Sequence, residues 1–113
     1  MSRETGFIAE DTAKAYLIAQ GLKWVCSHYQ CRYGEIDLIM REARHLVFVE
    51  VKFRKGGTLA EALESVTHTK QQKLRITATH YLSACRGHLS EQARFDVIIL
   101  LGTKIEWIQD AFR

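Results

Sequence analysis

The residues most able to do chemistry sit in two neighbouring runs, Gly34-Glu35-Ile36-Asp37-Leu38-Ile39 and Val47-Phe48-Val49-Glu50-Val51-Lys52. Each reads as a β-strand. A two-residue period puts Glu50 and Lys52 on one face of theirs, beside Leu46 and Phe48, and puts Glu35 and Asp37 together on the other strand. If Ala43-Arg44 is a tight turn, Glu42 pairs with His45. Counting back, Asp37 lies opposite Glu50 and Glu35 opposite Lys52. Directly opposed side chains have Cβ atoms ~5 Å apart. Two half-buried carboxylates that close repel, and the natural compensation is a divalent cation. Mg²⁺ accepts carboxylate oxygens together with waters and a phosphate.

Two more residues can join them. Glu10 precedes Ala13 by three and Leu17 by seven, so it borders the buried stripe of an N-terminal helix. Lys70 lies four residues before Leu74, at the start of a second helix, where an anion is attracted. Read singly, each residue has a plainer role: Glu10 is a solvated helix acid, Lys70 a surface lysine, and one of the strand acids a salt-bridge partner of Lys52 or Arg41. A zinc site from Cys26, His28 and Cys31 is disfavoured. It has three ligands only, and a strand turns Cys31 away from the other two.

The elements that position these residues follow from periodicity. Residues 5–20 read as a helix, with Ala9, Ala13, Tyr16 and Leu17 on one stripe and Gly21 as a left-handed cap. Strands are expected over 22–29, 34–42 and 45–53. The third carries apolar residues on both faces, which makes it central in its sheet. Arg54 to Gly57 breaks it. A helical turn is expected over 59–64. A helix follows over 68–84, with Thr69 and Gln72 as a capping box and Leu74, Ala78, Tyr81, Leu82 and Cys85 as its apolar stripe. Strands at 94–101 and 104–108 complete an α/β sandwich, helices covering a mixed sheet.

Composition supports one domain over residues 1–113. Hydrophobic residues make up 47% and charged residues 26%, an ordinary globular balance. No apolar run reaches the ~18 residues of a membrane span. The first seventeen residues lack the uncharged core of a secretory signal. Three cysteines without a CxxC pair fit reduced thiols in a cytoplasmic protein. The net charge is +3, and the basic excess sits in residues 41–88, with nine basic against four acidic residues. That suits a polyanionic partner, and equally a solvated helix face. Arg94 and Asp96, on one face of a strand, read as a structural pair.

Taken together, these motifs resemble the YraN family of small bacterial proteins. The paired strand runs, the opening Gly6 to Leu17 stretch with Glu10, Lys70 and its helix, Arg94-Phe95-Asp96-Val97 and the Ala111-Phe112 ending all match. Ile8 and Ala9 depart from the usual polar residue and glycine, without touching the acids. The family resembles restriction-endonuclease-like nucleases, in particular archaeal Holliday junction resolvases. That implies a three-layer α/β/α core, αβββαβ, with an added C-terminal strand. It also implies an active site of Glu10, Asp37, Glu50 and Lys52.

By this resemblance Asp37 and Glu50 hold Mg²⁺ or Mn²⁺, with the Val51 carbonyl as a further ligand and Glu10 acting directly or through water. Lys52 orients the attacking water and stabilises transition-state charge. Lys70 is a phosphate contact or active-site helper, and Arg54, Lys55 and Lys73 contact the nucleic-acid backbone without reading sequence. The partner implied is DNA, and a homodimer if branched DNA is cut. Two other readings stay open: a non-catalytic nucleic-acid-binding module of the same fold, and a protein-interaction domain whose acids form a salt-bridge cluster.

Overall fold

The computed structural model describes residues 3–84 and 92–113. Cys85, expected at the end of a helix stripe, lies outside them. The elements run α1 (Arg3–Ala19), β1 (Lys23–Cys31), β2 (Gly34–Glu42), β3 (His45–Arg54), α2 (Leu59–Glu64), α3 (His68–Ala84), β4 (Gln92–Leu101) and β5 (Lys104–Phe112). The strands form one sheet in the order β1-β2-β3-β4-β5. Only the β3–β4 pair is parallel. α2 and α3 make the crossover that a parallel pair requires. The chain is therefore α/β with a five-strand mixed sheet and β3 at its centre, as its two-faced apolar pattern demands. Among the described residues no helix is long and apolar enough to cross a membrane.

Each face of the sheet has its own cover. On one, Ala9, Ala13 and Leu17 of α1 pack on Leu38, Met40, Val47, Val49, Ile98 and Leu100. On the other, Leu74, Ala78 and Tyr81 of α3 pack on Ile36, Ile39, Leu46 and Phe48. Ala62 and Val66 cover Val97 and Ile99 on that side. At ~25 cal/mol per Å² of apolar surface removed from water, these two layers supply the main drive to fold.

Local chemistry fixes the ends of the helices. α1 stops at Gly21, whose φ is +102°. The Gly21 N–H donates to Ile18 O and the Leu22 N–H to Leu17 O, the paired bonds of a Schellman cap. α2 opens with a capping box between Thr58 and Glu61. For α3 the expected box at Thr69 is wrong by two residues. Thr67 caps instead, its Oγ1 accepting from the Lys70 N–H at 3.2 Å and its carbonyl accepting from the Gln71 N–H at 2.8 Å. Thr69 lies inside the first turn, so it cannot cap it.

β5 runs four residues beyond the expected end at Ile108. Its pairing with β4 shifts between Phe95 and Val97, and Asp110 takes a φ of +51°. This irregularity lets the Asp110 N–H donate to Asp96 Oδ1 at 2.9 Å. Asp96 is fully buried. It also accepts from Arg94 Nε at 3.0 Å and Trp107 Nε1 at 2.9 Å, while Arg94 bridges on to Glu42 at 2.6 Å. Both carboxylate oxygens of Asp96 thus accept hydrogen bonds. Breaking one partner of such a buried pair costs about 3–5 kcal/mol. We expect Asp96→Ala to lower the folding free energy by about that much in denaturant melts, while metal binding at the cluster described next is unaffected in the fraction that folds.

Candidate metal centre

β2 and β3 pair from Glu42↔His45 through Leu38↔Val49, the register that the Ala43-Arg44 turn dictates. One residue further on, Asp37 and Glu50 would face each other, and there the ladder stops. Asp37 turns its side chain into the gap, and its Oδ2 accepts the Val51 N–H at 2.9 Å. The pleat slips at the same point. Ile36 and Ile39 lie in one core cluster although three residues apart, with Leu38 in the other. The strands part because two carboxylates cannot sit opposed in a regular ladder, and the parting opens a cleft at the sheet's end.

That cleft has a volume of about 340 Å³ and is lined by Glu10, Asp37, Glu50, Val51, Lys52 and Arg54, with Lys70 at its edge. A second hollow of about 240 Å³ shares Asp37, Glu50 and Lys70 and continues to Gly34, Glu35 and Lys73. Seven of the eight side-chain positions singled out from the sequence thus line one connected groove, together with Val51. Lys55 does not. It sits in the turn beyond β3, where its carbonyl lies against Gly102.

Three carboxylates meet at the groove. Asp37 is hydrogen-bonded to Glu50 and also feels the charge of Glu10. Burial, then the bond and the charge of Glu50, push its carboxyl up to about 9, against the opposing Val51 N–H. Asp37 therefore holds a proton at neutral pH and donates it to Glu50. Glu10 is raised too, first by burial, with His28 working against the shift.

Two cations face these acids. Lys70 Nζ lies 3.1 Å from Glu50 Oε2, so the ion pair of Glu50 is with the helix lysine and not with Lys52. Lys52 is lowered by burial and by its bond to Lys70. Lys70 is raised: burial opposes, but the Lys52 bond and the Glu50 charge outweigh it. The two lysines are hydrogen-bonded to each other at the groove.

His28 is the participant that strand periodicity missed. Its Nε2 lies 2.5 Å from Glu10 Oε2 and its Nδ1 2.8 Å from Glu35 Oε1. Glu35 therefore pairs across β1, and not with Lys52 as the extended register implied. The β1–β2 pairing runs Ser27↔Leu38 and Tyr29↔Ile36 and skips the intervening step, where His28 takes a left-handed φ of +55°. A signal for this existed: a tight Arg32-Tyr33 turn with Cys31↔Gly34 pairing counts back to His28 beside Asp37.

The donor set suits a hard divalent cation. Glu10 Oε2 and Glu50 Oε2 are covered from solvent and receive no hydrogen bond. Each lies within ion-pair distance of one partner, His28 Nε2 for Glu10 and Lys70 Nζ for Glu50, and a buried oxygen without a well-formed hydrogen bond is costly. Among the described residues no three His, Cys, Asp or Glu donors already converge on one point. Mg²⁺ needs no such cage, since one or two carboxylates with waters and phosphate suffice.

With this geometry in view, comparison with other proteins is informative. The family model for Uncharacterised protein family UPF0102 matches residues 9–100. This chain belongs to the UPF0102 (YraN) family. A UPF0102 protein of Saccharophagus degradans is 46% identical over 109 residues, 96% of this chain and 92% of its own. One of Shewanella amazonensis is 45% identical over 107 residues, 95% of this chain and 97% of its own. The UPF0102 protein YraN of Salmonella agona is 41% identical over 111 residues, 97% and 85% of the two chains. The UPF0102 model spans Glu10, both strand acids, Lys52 and Lys70 in this chain.

The raised Asp37 carboxyl makes a pH prediction. The folded protein holds a proton there that the unfolded chain releases near pH 4. Metal-free stability therefore falls as pH rises from about 4 towards 9. Thermal melts in EDTA should show the Tm declining between pH 5 and 8, with a flatter profile in Asp37→Asn. A wild-type Tm that rises over that window would contradict the assignment.

Proposed function

We propose that this protein is a Mg²⁺-dependent endonuclease that hydrolyses phosphodiester bonds in DNA, with branched or damaged DNA as its target, on a restriction-endonuclease-like fold. One observation carries the reading: a buried, hydrogen-bonded Asp37–Glu50 pair, with Glu10 beside it, lines a groove that Lys52 and Lys70 also line.

In this reading Asp37, Glu50, the Val51 carbonyl and Glu10 hold the metal. When bound, it polarises a phosphoryl oxygen and lowers the pKa of an attacking water. The protein's own groups do the rest. Asp37 gives up its proton on loading, so its carboxylate becomes available. Lys52 orients the water and steadies the charge that grows on the phosphoryl oxygens. Lys70 holds Glu50 in place and draws the scissile phosphate to the first turn of α3. Arg54 and Lys73, at the two ends of the groove, fix the backbone of the strand. A four-way junction would take two copies of the chain, one for each strand to be cut.

A second reading, a nucleic-acid-binding module without cleavage, is favoured by one observation: among the described residues no three His, Cys, Asp or Glu donors converge on one point. Cleavage of end-labelled linear, flapped and four-way DNA in Mg²⁺ or Mn²⁺ separates the two. We expect the wild type to cut at least one of these. Asp37→Asn should cut none, and Lys52→Ala should be slower by about 100-fold or more. Binding of the same DNAs without cleavage would move the assignment to the module. Equal cleavage by Asp37→Asn would overturn the proposed centre.

A further inference from the structure

The β1–β2 turn presents an aromatic ring that the fold does not use. Tyr33 is 49% exposed, among the most exposed large hydrophobic residues described. Its ring meets the Arg32 guanidinium at 5.3 Å and makes no other ring contact among the described residues. The turn beneath it is nevertheless pinned. The Tyr33 N–H donates to Cys31 Sγ at 3.4 Å, and Cys31 Sγ lies 3.8 Å from Thr77 Oγ1 on α3. Gly34 is pressed onto the same helix, where a Cβ would come within 3.0 Å of Thr77 Oγ1 and 3.7 Å of Lys73 Cβ. An exposed ring on a fixed turn loses little freedom when it binds, which is the condition for a pre-organised contact.

Its position names the ligand. Gly34, the next residue, lines the hollow that runs through Lys73 and Lys70 to Asp37 and Glu50. Three strand steps lead from Gly34 to Asp37, about 10 Å. That is within one or two nucleotides of a phosphate at the metal centre. Base-paired DNA hides the faces of its bases, so only an unpaired base can lie against a ring. Arg32 beside the ring and Lys73 in the adjoining hollow supply positive charge for the neighbouring phosphates.

We propose that Tyr33 is a stacking platform for an unpaired base of the DNA strand that enters the Asp37–Glu50 groove. This makes single-stranded, flapped or junction DNA the preferred ligand over plain duplex. The inference rests on the nuclease reading only for the presence of DNA in the groove, not for its cleavage.

The test is binding with Ca²⁺ replacing Mg²⁺, using a single-stranded oligodeoxynucleotide that carries 2-aminopurine, the same label in an unpaired flap, and the matching duplex. The wild type should quench the unpaired label and favour single strand and flap. Tyr33→Ala should bind these about tenfold more weakly and lose the quenching, with duplex affinity unchanged. Tyr33→Phe should behave as wild type, since stacking needs the ring and not the hydroxyl. Unaltered quenching in Tyr33→Ala, an equal loss on single strand and duplex, or no wild-type binding to any of the probes would each overturn the platform. Cleavage assayed in parallel keeps the two claims apart: stacking without cleavage sinks the nuclease and leaves the platform standing, and cleavage indifferent to Tyr33 does the reverse.

Discussion

Two carboxyl groups meet where β2 and β3 would otherwise continue to pair, and much of the surrounding structure answers that meeting. A regular ladder would hold Asp37 and Glu50 face to face in a low-dielectric layer, where like charges repel strongly. The strands part instead, Asp37 turns to the Val51 N–H, and the pair retains a proton. Lys70 comes up from α3 to Glu50, and His28 reaches from β1 to Glu10 on α1. What remains is a groove lined by three carboxylates and two lysines.

The sheet handles its two buried acids in opposite ways. Asp96 is surrounded by Arg94, Trp107 and the Asp110 N–H, so its charge is fully met from within the chain. Such a network fixes structure and leaves nothing over for a ligand. At the Asp37–Glu50 end the needs of the acids are only partly met, although packing is complete a few residues away. Stability is concentrated in the two apolar layers and the Asp96 network. The strained polar end is where a fold tolerates local cost for chemistry.

Much of this was legible in the residues. The Ala43-Arg44 turn fixed the β2–β3 register by counting. The apolar residues on both faces of β3 marked it as central, and Glu10 followed from its place beside Ala13 and Leu17. What escaped depended on departures from regular geometry. His28 acts through a left-handed backbone inside a strand, which alternation does not anticipate. Glu35 went to His28 because the β2–β3 ladder ends before reaching it. The cap of α3 moved to Thr67 because the choice between two nearby threonines is made by backbone direction. β5 outran its apolar pattern through a bulge at Asp110 whose purpose is a bond to Asp96.

The central claim is that the acids at this gap are a cation site and not a salt-bridge cluster. Calorimetric titration of the metal-free wild type with Mn²⁺ at pH 7, in two buffers of different ionisation enthalpy, tests it directly. The account predicts binding accompanied by proton release, as Asp37 loses its proton, and loss of both signals in Asp37→Ala. No binding by the folded wild type, with a DNA strand present or absent, would contradict it.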